Sequence, residues 1–152
     1  MEPAAGARTI VDANKYMVLG TADETGRPWV SPVYYAPEAY REFFWVSSPG
    51  ATHSRNIAVR PEVSIVIFDS QVPIGGAQAV YMSAVAEELA GADLERGIEI
   101  FSGRSLEHGA AEWTPTDVRP PAPRRLYRAT VSEHSMLDPA VRGVDRRTHV
   151  TP

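Results

Sequence analysis

The sequence predicts a mainly β domain of the α+β class, with six short antiparallel strands closed into a small barrel or sandwich and short helices at its edge. Six apolar runs rich in Val, Ile, Tyr, Phe and Trp recur along the chain. Clusters of Gly, Pro, Asp and Ser separate most of them. Helical rhythm is confined to three short stretches.

In chain order, "ARTIVDAN" places Ile10, Val11 and Ala13 for a short helix ending near Asn14. "YMVLGTA" is a compact apolar run and reads as the first strand. "DETGRP" is turn chemistry, with Gly26 suited to positive φ, and "WVSPVYYA" resumes β character, so the two runs predict a hairpin. Pro32 has no N–H to give a ladder and marks an edge, a bulge or a bend. "PEAYRE" turns the chain into "FFWVSS", the third strand. "PGA" leads to a helix from about Thr52 to Val59, which Pro61 ends by pushing the residue before it out of the helical region. "EVSIVIFD" and "QAVYMSAVAEEL" are the fourth and fifth strands. Residues 93–104 read as a helix through Leu94, Ile98 and Phe101, weakened by Gly97. "SLEHGAAEWTPTDVRPPAP" is an excursion ending in a proline-rich turn, and "RRLYRATVSEHSMLD" is the sixth strand. The expected division is a domain over residues 8–137 and an irregular basic tail over 138–152.

The chain has 152 residues, 43% of them apolar, enough for one domain with a real core. Net charge is −4, which argues against general nucleic-acid or membrane-surface binding. The absence of cysteine excludes disulfides, thiolate catalysis and cysteine-held metals. No run is long enough to span a bilayer as a helix or to form a signal core, so the expectation is a soluble, cytoplasmic protein. Charge is uneven. Residues 1–118 carry eight Lys/Arg against sixteen Asp/Glu, whereas residues 119–152 carry seven Arg against three acids. The basic part is expected to pack on the acidic body, within the chain or across a dimer, or else to help close an anionic pocket.

A puzzle sits at "THSRN". His53 and Arg55 fall in the first turn of a helix, where the backbone already carries partial positive charge. One resolution is that Thr52 caps the helix and Arg55 points to solvent or pairs with an acid. The other is a bound anion, which reverses the sign of the repulsion.

The order of "YMVLGTADETGRPWVSPVYYA", "FFWVSS", "THSRNIAVRPEVSIVIFD" and "AVYMSAVAEEL" resembles the pyridoxamine 5'-phosphate oxidase-like superfamily of flavin-binding split β-barrels over most of residues 8–137. That resemblance implies a homodimer with flavin mononucleotide (FMN) in clefts between the subunits. It implies that the flavin phosphate lies where the third strand enters the short helix, at Ser47, Ser48, His53, Ser54, Arg55 and Asn56. Uncapped helix amides and a forked guanidinium suit a phosphate at that place. It further implies that Ser31, Pro32 and Val33 run beside the isoalloxazine edge, and that Gln78 comes near a flavin, often one held by the opposite subunit. Gln78 is also read simply as an exposed residue opening a strand. Tyr34 and Tyr35, being adjacent, point to opposite strand faces, so at most one faces the ring. Trp45 is assigned to the core or the dimer interface.

Arg124, Arg125 and Arg128 are read first as partners of Glu87 and Glu88, and second as reaching the phosphate. Arg146 and Arg147 loosely resemble the basic C-terminal segment that holds substrate phosphate in pyridoxamine phosphate oxidases, but "DRRTHV" lacks the surrounding pattern. His53, His108, His134 and His149 show no metal-ligand spacing, so no metal is expected. Nothing resembles a nucleophile elbow, a P-loop or a GxGxxG fingerprint. The reading is an FMN-dependent oxidoreductase acting on a small molecule, with no catalytic residue assigned. The alternatives are a deazaflavin coenzyme in the same groove, haem on the same fold, or a cofactor-binding or scaffold dimer without turnover.

Overall fold

The computed structural model describes residues 2–137 and 147–152. Helix α1 (Pro3–Ala13) leads into the hairpin β1 (Tyr16–Ala22) and β2 (Pro28–Tyr34). A short β3 (Ala36–Glu38) precedes β4 (Glu42–Ser47), α2 (Thr52–Val59), β5 (Glu62–Phe68) and β6 (Ala79–Glu88). Then come α3 (Gly91–Glu107), a 3-10 turn (Pro115–Val118), the long β7 (Arg125–Leu137) and β8 (Arg147–Val150).

The strands form one eight-stranded sheet in the order β2-β1-β5-β6-β7-β4-β3, with β8 also paired to β7. Every pairing is antiparallel. β7 organises the sheet. Its first half pairs with β4, its second half with β8, and nearly its whole length with β6 on the other edge. The sheet curls until β2 packs against β4, giving the expected antiparallel barrel-like α+β fold.

Two strands beyond the predicted six are present, β3 and β8. β3 has three residues inside "YAPEAY", and Ala39 and Tyr40 then turn the chain at φ 50° and 56°, so its composition reads as a turn. β8 was expected to be irregular; it forms because the second half of β7 continues past β4 and leaves an open edge. Predicted helix ends shift too, since α1 begins at Pro3 and α3 runs over Gly91–Glu107.

Alternation along the strands divides the side chains. Met17, Leu19, Val33, Tyr35, Phe43, Trp45, Ile65 and Ile67 fill the barrel. Trp45 stacks on Tyr127 at 5.7 Å between centroids, which settles its place in the core. A second apolar cluster lies under α3, where Leu94, Ile98 and Phe101 meet Phe44 and Leu126. Gly97 lets the helix come close: a Cβ there would stand 2.8 Å from Phe44 Cε1 and 3.0 Å from Leu126 Cδ2. Among the described residues, no helix is long and apolar enough to cross a membrane.

Candidate functional site

β4 delivers Ser47 and Ser48 to a tight loop, in which the Ser48 carbonyl accepts from Ala51 N and the Ser48 Oγ accepts from Gly50 N. α2 starts directly after it. Its N-cap is Ala51, not Thr52, and no side chain caps the helix. The first-turn amides therefore keep their donors open.

The four predicted helix residues divide between two faces. His53, Ser54 and Asn56 turn inward onto the barrel mouth, with Ile57. His53 Nε2 and Ser47 Oγ share a 2.9 Å hydrogen bond. Burial lowers the His53 pKa, so its imidazole is neutral near pH 7 and adds no charge to the first turn. Asn56 Nδ2 donates to Thr21 Oγ1 at 3.0 Å, tying α2 to β1. Ser54 Oγ is buried without a hydrogen-bond partner. Tyr127 lies close enough to interact with Ser54, and burial raises its pKa.

Arg55 alone of the four faces outward. Its Nη1 donates to the Gly50 carbonyl at 2.8 Å, folding the guanidinium back over the loop and the helix start. Among the described residues it makes no ion pair. A guanidinium without a carboxylate, beside uncapped amides, is a positive corner that lacks its counter-charge. Arg55, the Ser48 hydroxyl and these amides are donors that could hold a phosphate group, and the inward His53 and Asn56 bond the helix to β4 and β1.

Ser31, Pro32 and Val33 lie in the middle of β2, opposite Leu19, Val18 and Met17 of β1. β2 is the edge strand of the hairpin, which explains how it accepts Pro32. Val33 is buried, Pro32 is exposed and Ser31 lies between. The adjacent tyrosines are resolved as well. Tyr35 is wholly buried, its hydroxyl donating to the Val11 carbonyl at 2.7 Å, and burial raises its pKa. Tyr34 lies on the same strand face as Pro32.

Gln78 is not brought to this corner. It precedes Ala79, which pairs with Phe68 at one end of the β5–β6 hairpin. α2 sits at the other end, where Glu62 pairs with Val85 and Ser47 with Arg125. About a strand's length, roughly 20 Å, separates them within one chain.

A groove of about 720 Å³ lies on the outer face of the sheet. Two rungs form its floor. One runs Val30, Gly20, Ser64, Ser83 and Glu133, and the other Val18, Val66, Tyr81, Ser135 and His149. Arg147 and His149 of β8 close one side, with His149 Nδ1 2.9 Å from Glu133 Oε1. At the other side Val30 borders Ser31 and Pro32. No sequence signal marked this groove, because its lining comes one to three residues at a time from six strands.

In the basic C-terminal part, Arg119 and Arg128 pair with carboxylates of the body. Arg128 meets Glu42 at 3.1 Å, Glu87 at 3.5 Å and Asp93 at 3.6 Å. Arg96 bonds Glu42 at 2.6 Å, and that bond chiefly holds the Glu42 carboxyl below its usual range. Arg125 donates to the Ala122 and Arg124 carbonyls. Arg146 lies outside the described residues.

Residues 5–137 match the family model described as pyridoxamine 5'-phosphate oxidase. No curated protein matches the sequence. Among solved structures, the chain is similar to a haem-binding protein from Mycobacterium smegmatis, with 22% identity and TM-score 0.71, covering 97% of this chain and 57% of that one. It is also similar to HutZ, a haem storage protein from Vibrio cholerae, with 21% identity and TM-score 0.69, covering 87% of this chain and 92% of that one. A protein described as an F420 reductase aligns at 16% identity and TM-score 0.63, over 86% of this chain and 96% of that one. At these identities the likenesses show a shared fold. The chain spans little more than half of the mycobacterial protein.

Proposed function

The chain belongs to the pyridoxamine 5'-phosphate oxidase family, and from that premise we propose that it is a homodimeric, FMN-binding oxidoreductase acting on a small molecule. The observation that carries this reading is Arg55, a guanidinium held over an uncapped helix start and paired with no carboxylate among the described residues. The phosphate would take that place, held by Arg55, Ser48 and the first-turn amides of α2. Pro32 would border the ring on the outer face of β2, with the backbone of Ser31 and Val33 running beside the ring edge. Gln78 would serve the site of the opposite subunit, which fits its distance from α2 in its own chain. FMN, when bound, supplies the hydride and electron transfer, while the residues here bind and orient it. A deazaflavin coenzyme would use the same corner through its own phosphate.

The test compares FMN with riboflavin, which has no phosphate. Arg55→Ala should weaken FMN binding by about 1–3 kcal/mol, the loss of a charge-assisted contact, and leave riboflavin nearly unchanged. Equal losses for both ligands, measured by fluorescence quenching, would remove the phosphate from this corner.

Haem is a second reading, favoured by one feature. The outer groove has a cofactor's volume and presents the His149 imidazole. Absorbance of the purified protein separates the two, flavin bands against a Soret band.

A further inference from the structure

β2 ends in a polar pair that the binding corner does not use. The Tyr34 hydroxyl lies 2.5 Å from His108 Nδ1, joining the last residue of β2 to the residue that follows α3. Packing fixes the tyrosine ring. It meets Phe101 edge-on at 5.6 Å and Tyr16 at 6.1 Å. Its hydroxyl is thus held in place on the strand face it shares with Pro32, one step beyond the stretch assigned to the ring. Arg104, Glu107 and Tyr16 also face Tyr34, and Arg104, Lys15 and Glu107 face His108.

We propose that the Tyr34 hydroxyl is the polar group a bound ligand meets at this end of β2, and that protonation of His108 decides whether it donates or accepts. The reasoning concerns one proton. Neutral His108 with its proton on Nε2 offers Nδ1 as an acceptor, so the Tyr34 O–H turns toward it and the hydroxyl presents lone pairs to the ligand. Protonated His108 donates from Nδ1, so the Tyr34 oxygen accepts that bond and its own O–H turns toward the ligand. The ligand thus meets an acceptor above the imidazole's pKa and a donor below it. Burial first, then Arg104 and Lys15, lower the His108 pKa, while burial raises that of Tyr34. The reversal therefore falls below about pH 6.5 and leaves the phenol protonated throughout. His108 is a positioning residue, acting through Tyr34.

This inference rests on the reading that the flavin lies along β2. FMN affinity is measured from about pH 5 to pH 8 for the unchanged chain, Tyr34→Phe and His108→Gln. The flavin phosphate titrates in the same range in all three, so the readout is the difference between them. The unchanged chain should show an additional change of about three- to tenfold, the worth of one hydrogen bond, that both variants lack. Titration of His108, followed by its imidazole proton resonances, should also shift in Tyr34→Phe. Coincident pH profiles with FMN bound would overturn the inference and leave the flavin reading standing. Absence of FMN binding at every pH would overturn both. An unmoved His108 titration would overturn the pairing by itself.

Discussion

α2 and α3 pack on the same sheet and bury opposite kinds of surface. α3 buries Leu94, Ile98 and Phe101 against Phe44 and Leu126, with Gly97 admitting the close approach. α2 buries His53, Ser54 and Asn56, and Ile57 is its one large apolar contribution. Apolar burial is non-directional and grows with area, so α3 is held by mass. Directional bonds hold α2: Ser47 to His53, Thr21 to Asn56, and the Arg60 Nε–H to the Asp23 carbonyl at 2.7 Å. Such bonds add less net stability but fix orientation closely. The difference teaches that α3 chiefly stabilises the fold, whereas α2 is built to aim its first turn.

The comparison breaks most readily at Phe101. Its ring contacts both Tyr34 and Trp113 edge-on and is nearly wholly buried. Phe101→Ala should cost about 3–5 kcal/mol of stability, read from the urea midpoint. FMN affinity of the fraction that stays folded should fall by no more than the Tyr34 hydroxyl contributes, since Phe101 packs on the Tyr34 ring and not on the start of α2. A variant that lost affinity while keeping its midpoint would assign α3 a site role and erase the distinction.

Asn56 tests the other helix. Asn56→Ala removes the bond to Thr21 and should cost about 1–2 kcal/mol of stability, less than the α3 change. It should weaken FMN more than Phe101→Ala does, because the helix start loses its anchor on β1. The ratio of the two losses, affinity against stability, is the quantity that sharpens the contrast.

The sequence made α3 legible and left the facing of α2 unread, for one reason. In α3 the buried positions are apolar at helical spacing, so the rhythm shows in composition. In α2 the buried stripe 53, 56, 57 has the same spacing but is mostly polar, so hydrophobicity does not reveal it. Arg55 could be placed at a positive helix start from order alone, whereas its separation from inward His53 needed coordinates. The strands were legible where they exceed five residues, and β3 and β8 were too short to register. The Tyr34–His108 pair joins residues 74 apart in sequence, and no local pattern announces it.

The smallest expected effect is also the most specific to α2. Burial lowers the pKa of His53, and likewise of His134, whose Nε2–H donates to the Tyr40 carbonyl at 2.6 Å. The unfolded chain takes these protons first, near pH 6.5, so stability is complete above that value and falls as pH drops toward the lower folded values. His53→Gln should remove up to one proton from that slope, at most about 1.4 kcal/mol per pH unit, leaving the His134 share in place. Denaturant midpoints between about pH 5 and pH 7 measure it. Bound FMN turns the same measurement into a test of the corner. A dianion at the start of α2 favours the imidazolium, so saturating FMN should shrink the His53 share of the slope and leave that of His134 alone. If both shares respond equally, the ligand is not at α2, and the helix's polar underside serves the fold alone.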